Sequence, residues 1–359
     1  MKKFSIALSA LFLCISISCN DDNNVSGSGS QEVADQQNAL EDNKTDVATL
    51  ENGIIIDGAT KESGNPPSPN SNLDFNISNN SQKGFQSSGF DIKFSSNADV
   101  AGAYIRFKDV DGNATSDYFD VPASSFGSSF SNKGSFANSA IINKKIESAS
   151  LVSKNSESVI NVDLKTTVPA GEFCYDICIY DSQNNISTIE TVCVTIEAWG
   201  GNAQLVGKWR LEEITDFDDT FDIDCNNGGT INVSESNIIS QDILVYFNED
   251  GSYNDSQKGE TGILDYNASV ETCTVVYTPD TEKMDEERFG NWAFDEDDNR
   301  ITIVLFSIKD LLDSNNSTDY EFGDKFFDGL FIKEITDTKL VIEEVSPFGF
   351  EVTYVFKRL

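Results

Sequence analysis

The chain has 359 residues, with 60 acidic against 25 basic side chains, a net charge of -35 and no histidine. Such an excess of acid repels phosphate backbones, so no nucleic-acid partner is expected. The lack of histidine removes Ser-His-Asp and Cys-His catalysis, His-ligated zinc and the 2-His-1-carboxylate iron site together.

Lys2 and Lys3 open the chain, and Phe4 to Ile17 is an uncharged apolar run too short for a permanent bilayer span. It ends in Ser16-Ile17-Ser18-Cys19. This resembles the lipobox of bacterial lipoproteins, with Ser16 where that motif usually has an aliphatic residue. The resemblance implies a signal peptide over 1–18, cleavage before Cys19, and a lipid on the Cys19 thiol that ties the protein to a membrane. The Asn20-Asp21-Asp22-Asn23-Asn24 stretch that follows resembles the surface-export signal of Bacteroidetes lipoproteins, which implies the outer leaflet of the outer membrane.

Residues 19–72 are polar and acidic, with Ser26-Gly27-Ser28-Gly29-Ser30 and later Pro66-Pro67-Ser68-Pro69. They predict a disordered tether with a stiffer proline section, and at most a transient helix between Val33 and Leu50. Residues 73–199 change to short alternating segments: Phe90 to Phe94, Ala103 to Phe107, Asp117 to Val121, Ile160 to Leu164, Glu172 to Tyr180 and Ile186 to Ile196. This pattern predicts an all-β, antiparallel sandwich, and its closing hairpin resembles the last two strands of immunoglobulin-like or fibronectin-like modules. Gly200 and Gly201 mark the next joint.

Residues 203–359 carry about eight more strands, enough to close an antiparallel barrel, and hold 35 acidic against 12 basic residues, or -23. Gly207-Lys208-Trp209, the Phe247 to Gly251 turn, Gly290-Asn291-Trp292 and the final Lys357-Arg358 together resemble the lipocalin-like domain of Bacteroidetes lipoproteins. The resemblance implies that Trp209 closes one end of the barrel with Arg358 or Lys357 over its ring, Gly207 opening the strand.

Cys225 and Cys273 form the one cysteine pair of the barrel and predict a disulfide. Pairing Tyr180 with Ser187 sets Cys174 opposite Cys193, leaving Cys178 as a buried thiol. A different register of the ladder favours Cys178–Cys193 instead.

Asp109, Asp111 and Asn113 alternate as calcium-loop ligands do, but the early Gly112 fits a hairpin turn better, so no metal is expected. The acidic loops Asp216 to Asp219 with Asp222 and Asp224, and Asp295 to Asp298, read as solvated. No P-loop, dinucleotide fingerprint or Gly-x-Ser-x-Gly elbow is present, so no cofactor is expected. The sequence thus predicts a non-enzymatic surface lipoprotein whose barrel binds a small apolar or glycan-like ligand. The alternatives are a structural or adhesive protein with a filled barrel and a macromolecular partner, or a carboxylate-based glycoside hydrolase.

Overall fold

A computed structural model describes residues 28–77, 81–128, 157–215, 220–234, 237–345 and 351–359. Residues 1–18, Cys19 and the acidic stretch 216–219 lie outside the described residues. The fold is almost entirely β: a two-sheet sandwich followed by a closed barrel.

One sandwich sheet runs in the order β1 (Ile54–Ile55), β9 (Ser158–Leu164), β5 (Phe90–Ser95), β3 (Asn76–Ile77), with β8 (Gly127–Ser128) also on β9. The other runs β2 (Thr60–Ser63), β7 (Asp117–Pro122), β6 (Val100–Lys108), β10 (Gly171–Asp181), β11 (Glu190–Glu197), β4 (Ser81–Phe85). The expected alternation holds in β6. Ala103, Ile105 and Phe107 are buried, while Tyr104 and Arg106 are half-exposed. Both sheets turn such faces into one core that includes Ile92, Phe94, Tyr175 and Val194. The sandwich is not purely antiparallel, because β4 runs parallel to β11.

The tether is corrected. Helix α1 (Ser28–Asn38), helix α2 (Val47–Gly53), β1 and β2 all lie within 28–72. Asp46 caps α2 by accepting from the Thr49 N–H at 3.0 Å, and Leu50, Ile54 and Ile56 enter the sandwich core. The run Val47 to Ile56 therefore belongs to the sandwich, which begins well before residue 73.

The disulfide Cys174–Cys193 forms where the two cysteines stand directly opposite on β10 and β11, and Cys178 stays a buried thiol. The register set by Cys174 and Cys193 holds from Gly171 to Ile177. Near the loop Tyr180 faces Ile186 and not the expected Ser187, so the register shifts by one between Ile177 and Tyr180.

The barrel closes in the order β12 (Gly207–Thr215), β15 (Asn237–Phe247), β16 (Ser252–Leu264), β17 (Tyr277–Asp295), β18 (Arg300–Asp310), β19 (Thr318–Ile335), β20 (Lys339–Val345), β21 (Glu351–Arg358), with β21 back on β12. The hairpin β13 (Thr220–Asp224) with β14 (Thr230–Ser234) stands between β12 and β15. Helix α3 (Tyr266–Thr272) joins β16 to β17. The disulfide Cys225–Cys273 ties that hairpin to the end of α3.

The barrel end carrying the turn at Gly251 meets the sandwich. Gly251 has φ +78°, a left-handed conformation suited to glycine, and a side chain there would strike Trp199. Trp199 stacks on Phe85 of β4 at 6.1 Å, and the Gly200 N–H donates to the Trp292 carbonyl at 2.7 Å. Helix α1 bridges the same joint: Gln37 donates to the Glu249 carbonyl and Asn38 to that of Gly201.

A buried charge cluster sits at this joint. Lys83 is 2.6 Å from Asp295 and 3.5 Å from Glu197, and Arg300 is 3.4 Å from Asp295. Glu197 is only 1% exposed, and neither of its carboxylate oxygens has a hydrogen-bond partner among the described residues. Burial, with Asp295 and Glu41 nearby, pushes its carboxyl up to about 7. Folding therefore favours protonated Glu197. That contribution is present below about pH 4.5, the ordinary value, and is lost as pH rises through about 7. A shift of that size is worth about 3 kcal/mol at most. Glu197→Gln is expected to resist urea better than the parent at pH 8.5 and to show little of this gain at pH 4. Parallel pH profiles of the two proteins would contradict this account.

Candidate ligand site in the barrel mouth

The strand register stacks the barrel interior in rows. Lowest is Phe247–Tyr253–Gly290–Leu305, then Val245–Asp255–Arg288–Ile308, then Ile243–Gln257–Glu286–Asp310, and above these Gln241–Gly259–Met284. Within each row the residues are direct cross-strand partners and share a face.

The lower end, toward the sandwich, is filled. Trp209, Trp292, Phe247, Tyr253, Ile303, Leu340 and Phe356 pack into one cluster. The sequence-predicted closing residues come together here. The Arg358 guanidinium lies 4.1 Å from the Trp209 ring centroid, and its Nη1 donates to the Val206 carbonyl at 2.6 Å. Trp209 Nε1 donates to the Leu205 carbonyl at 2.8 Å. Gly207, at φ +142°, leaves room for this arrangement, since a Cβ there would sit 2.6 Å from Arg358 Nη1.

Polarity rises toward the other end. Asp255 accepts from Arg288 Nε at 2.8 Å and from the Tyr253 hydroxyl at 2.6 Å, with all three side chains buried. Burial raises the Asp255 carboxyl, and Arg288 and Tyr253 pull the other way. On the facing strands, Glu344 accepts from the Tyr354 hydroxyl at 2.6 Å, and burial pushes its carboxyl up to about 7. Gln257 is 2% exposed, and its amide nitrogen has no hydrogen-bond partner among the described residues.

Above this layer lies a cavity of about 180 Å³, room for roughly six waters. Gln241, Gly259, Met284, Glu286 and Asp310 line it, with Glu260, Glu282, Lys283 and Asp285. Burial raises the Glu286 carboxyl; Arg288 lowers it, while Asp310 and Asp255 raise it further. The Asp310 carboxylate accepts from the N–H groups of Leu312 and Asp313 and from the Asn316 amide. Ile238, Ile239, Tyr266, Val275, Leu311 and Leu312, all more than 40% exposed, surround the same end.

The calcium candidates form a turn instead. Asp109 accepts from the Asn113 backbone and amide nitrogens, and Asp111 pairs with Lys44 at 2.7 Å. Among the described residues no three Cys, Asp or Glu side chains gather in a metal-holding group. Of the other acidic loops, Asp222 accepts from Asn232 and Asp224 from Thr230, while Asp295 is held by Lys83 and Arg300.

Sequence reading missed Tyr253, Asp255, Gln257, Glu286 and Arg288. A signal existed: stepping by two from buried Trp292 gives Gly290, Arg288 and Glu286, the inward face of β17. No protein-family profile matches the chain, and no curated protein matches it.

Proposed function

We propose that this chain is a lipid-anchored surface protein of a bacterial outer membrane whose barrel mouth binds one small polar ligand without chemical conversion. The carrying observation is the division of the barrel interior, an apolar, filled base beneath a polar layer that opens into a cavity of about 180 Å³. A volume below the usual range of ligand pockets suits a ligand of few atoms. The carboxylates around it favour the glycan-like side of the sequence expectation over the apolar one. Binding without conversion rests on how the deep carboxylates are engaged: Asp255 is held by Arg288 and Tyr253, and Glu344 by Tyr354.

Native mass spectrometry of the full mature protein, taken from native membranes, is expected to show a co-purifying small polar molecule. An empty barrel would overturn the ligand reading. Cys19→Ala is expected to release the protein from the membrane fraction, and continued retention would overturn the anchor. The exposed Ile and Leu side chains at the mouth favour a second reading, a macromolecular partner covering that end. In that case a protein, and no small molecule, is retained.

A further inference from the structure

Gln257 and Glu286 are direct partners on β16 and β17; Glu286 lines the cavity, and Gln257 lies one layer below the lining. The Gln257 amide nitrogen is a buried donor with no acceptor among the described residues. A buried polar group left unpaired costs free energy, so it marks a place where a hydrogen-bonding partner gains. Glu286 lines the cavity beside it, its carboxylate outside the ion pairs that occupy its neighbours among the described residues. By contrast, Asp310 is committed to the turn after β18, Asp285 pairs with Lys258 at 2.7 Å, and Glu260 accepts from Thr281 at 2.6 Å.

The charge around the cavity is one-sided. By strand alternation Glu282, Glu286 and Asp310 are on the inward face, while Glu260, Lys283 and Asp285 contribute to the lining from the outward one. Below them, Arg288 is already paired with Asp255. An entering cation meets a favourable potential from the β17 and β18 wall, whereas an anion is repelled.

We propose that the barrel mouth takes a small amine that also carries a hydroxyl or carbonyl oxygen, with its ammonium on the Glu286 carboxylate and its oxygen accepting from the Gln257 amide. This rests on the reading of the mouth as a ligand site and specifies the ligand class. An amino sugar has both groups on adjacent carbons. A neutral sugar supplies only the hydroxyls, and a simple diamine lacks the acceptor.

The test is an NMR titration of the full mature protein, following the Gln257 side-chain amide, with glucosamine and glucose as probes at one ionic strength. Glucosamine is expected to shift that signal at concentrations at least about tenfold lower than glucose. The isosteric Glu286→Gln is expected to remove the preference, and Gln257→Leu, followed instead by the backbone amides of Gly259 and Met284 in the cavity wall, to weaken glucosamine several-fold, with unchanged thermal melts showing that both variants fold. Equal response to the two sugars, an unchanged preference in Glu286→Gln, or no shift with either sugar overturns the amine assignment. If native mass spectrometry still finds a neutral polar molecule, the binding reading stands and only the ligand class fails. An empty native barrel together with silent titrations removes both.

Discussion

Asp255→Ala is expected to destabilise the barrel by about 3–5 kcal/mol, the range for removing one partner of a buried ion pair. Arg288 cannot shed its proton to escape, so the variant leaves a guanidinium buried beside the apolar base with its 2.8 Å partner gone. The Tyr253 hydroxyl loses its acceptor as well. For a domain of this size, such a loss lowers the melting temperature by about 6–20 °C. Replacing both partners with apolar residues of similar volume, Asp255→Leu with Arg288→Met, is expected to restore most of it, because the desolvation of both charges disappears with them. Thermal melts followed by near-ultraviolet circular dichroism compare the three proteins. A single variant no less stable than the double one would mean that Arg288 finds water or another acceptor.

That pair also explains where sequence reading stops. The sandwich strands were legible because their inward residues are apolar: Ala103, Ile105 and Phe107 announce a face by themselves. The Cys174–Cys193 bridge was legible because a disulfide needs its cysteines opposite on neighbouring strands, although the Tyr180–Ser187 pairing assumed at the loop is off by one. The Val47 to Ile56 run was read as tether because it sits in a polar stretch. Its helix is a mere seven residues, held by the Asp46 cap and by tertiary burial of Leu50, neither of which composition registers. Cys273 sits at φ 55° as the cap of α3, and β17 begins only at Tyr277, a break that strand alternation alone does not announce.

The site was hidden for a different reason. The rule that inward residues are apolar fails in the upper barrel, where Asp255, Gln257, Glu286 and Arg288 face inward. In a chain with 60 acidic residues, no single carboxylate stands out by type. Only the ladder that pairs β16 with β17 brings these four together.

The opposite end of the barrel carries the second large effect. Trp209→Ala is expected to cost about 3–5 kcal/mol, as for a fully buried aromatic truncated in a core. Two further contacts go with the ring: the Nε1 hydrogen bond to the Leu205 carbonyl and the face on which Arg358 rests. Arg358→Ala removes the cation but leaves the ring packed, so its cost is expected to be smaller, about 1–2 kcal/mol. Arg358→Lys recovers only part of that, because a single ammonium does not reproduce the stacked, planar guanidinium that reaches both the Val206 and Gln204 carbonyls. Gly207→Ala acts on the same contact from the strand side, since its Cβ both occupies the space at Arg358 Nη1 and forces an L-residue to φ +142°. If the closure is one unit, Gly207→Ala combined with Arg358→Ala costs less than the sum of the two, because once the guanidinium is gone only the backbone strain remains. Strict additivity in urea unfolding would show that Gly207 and Arg358 contribute separately and that Trp209 closes the base alone.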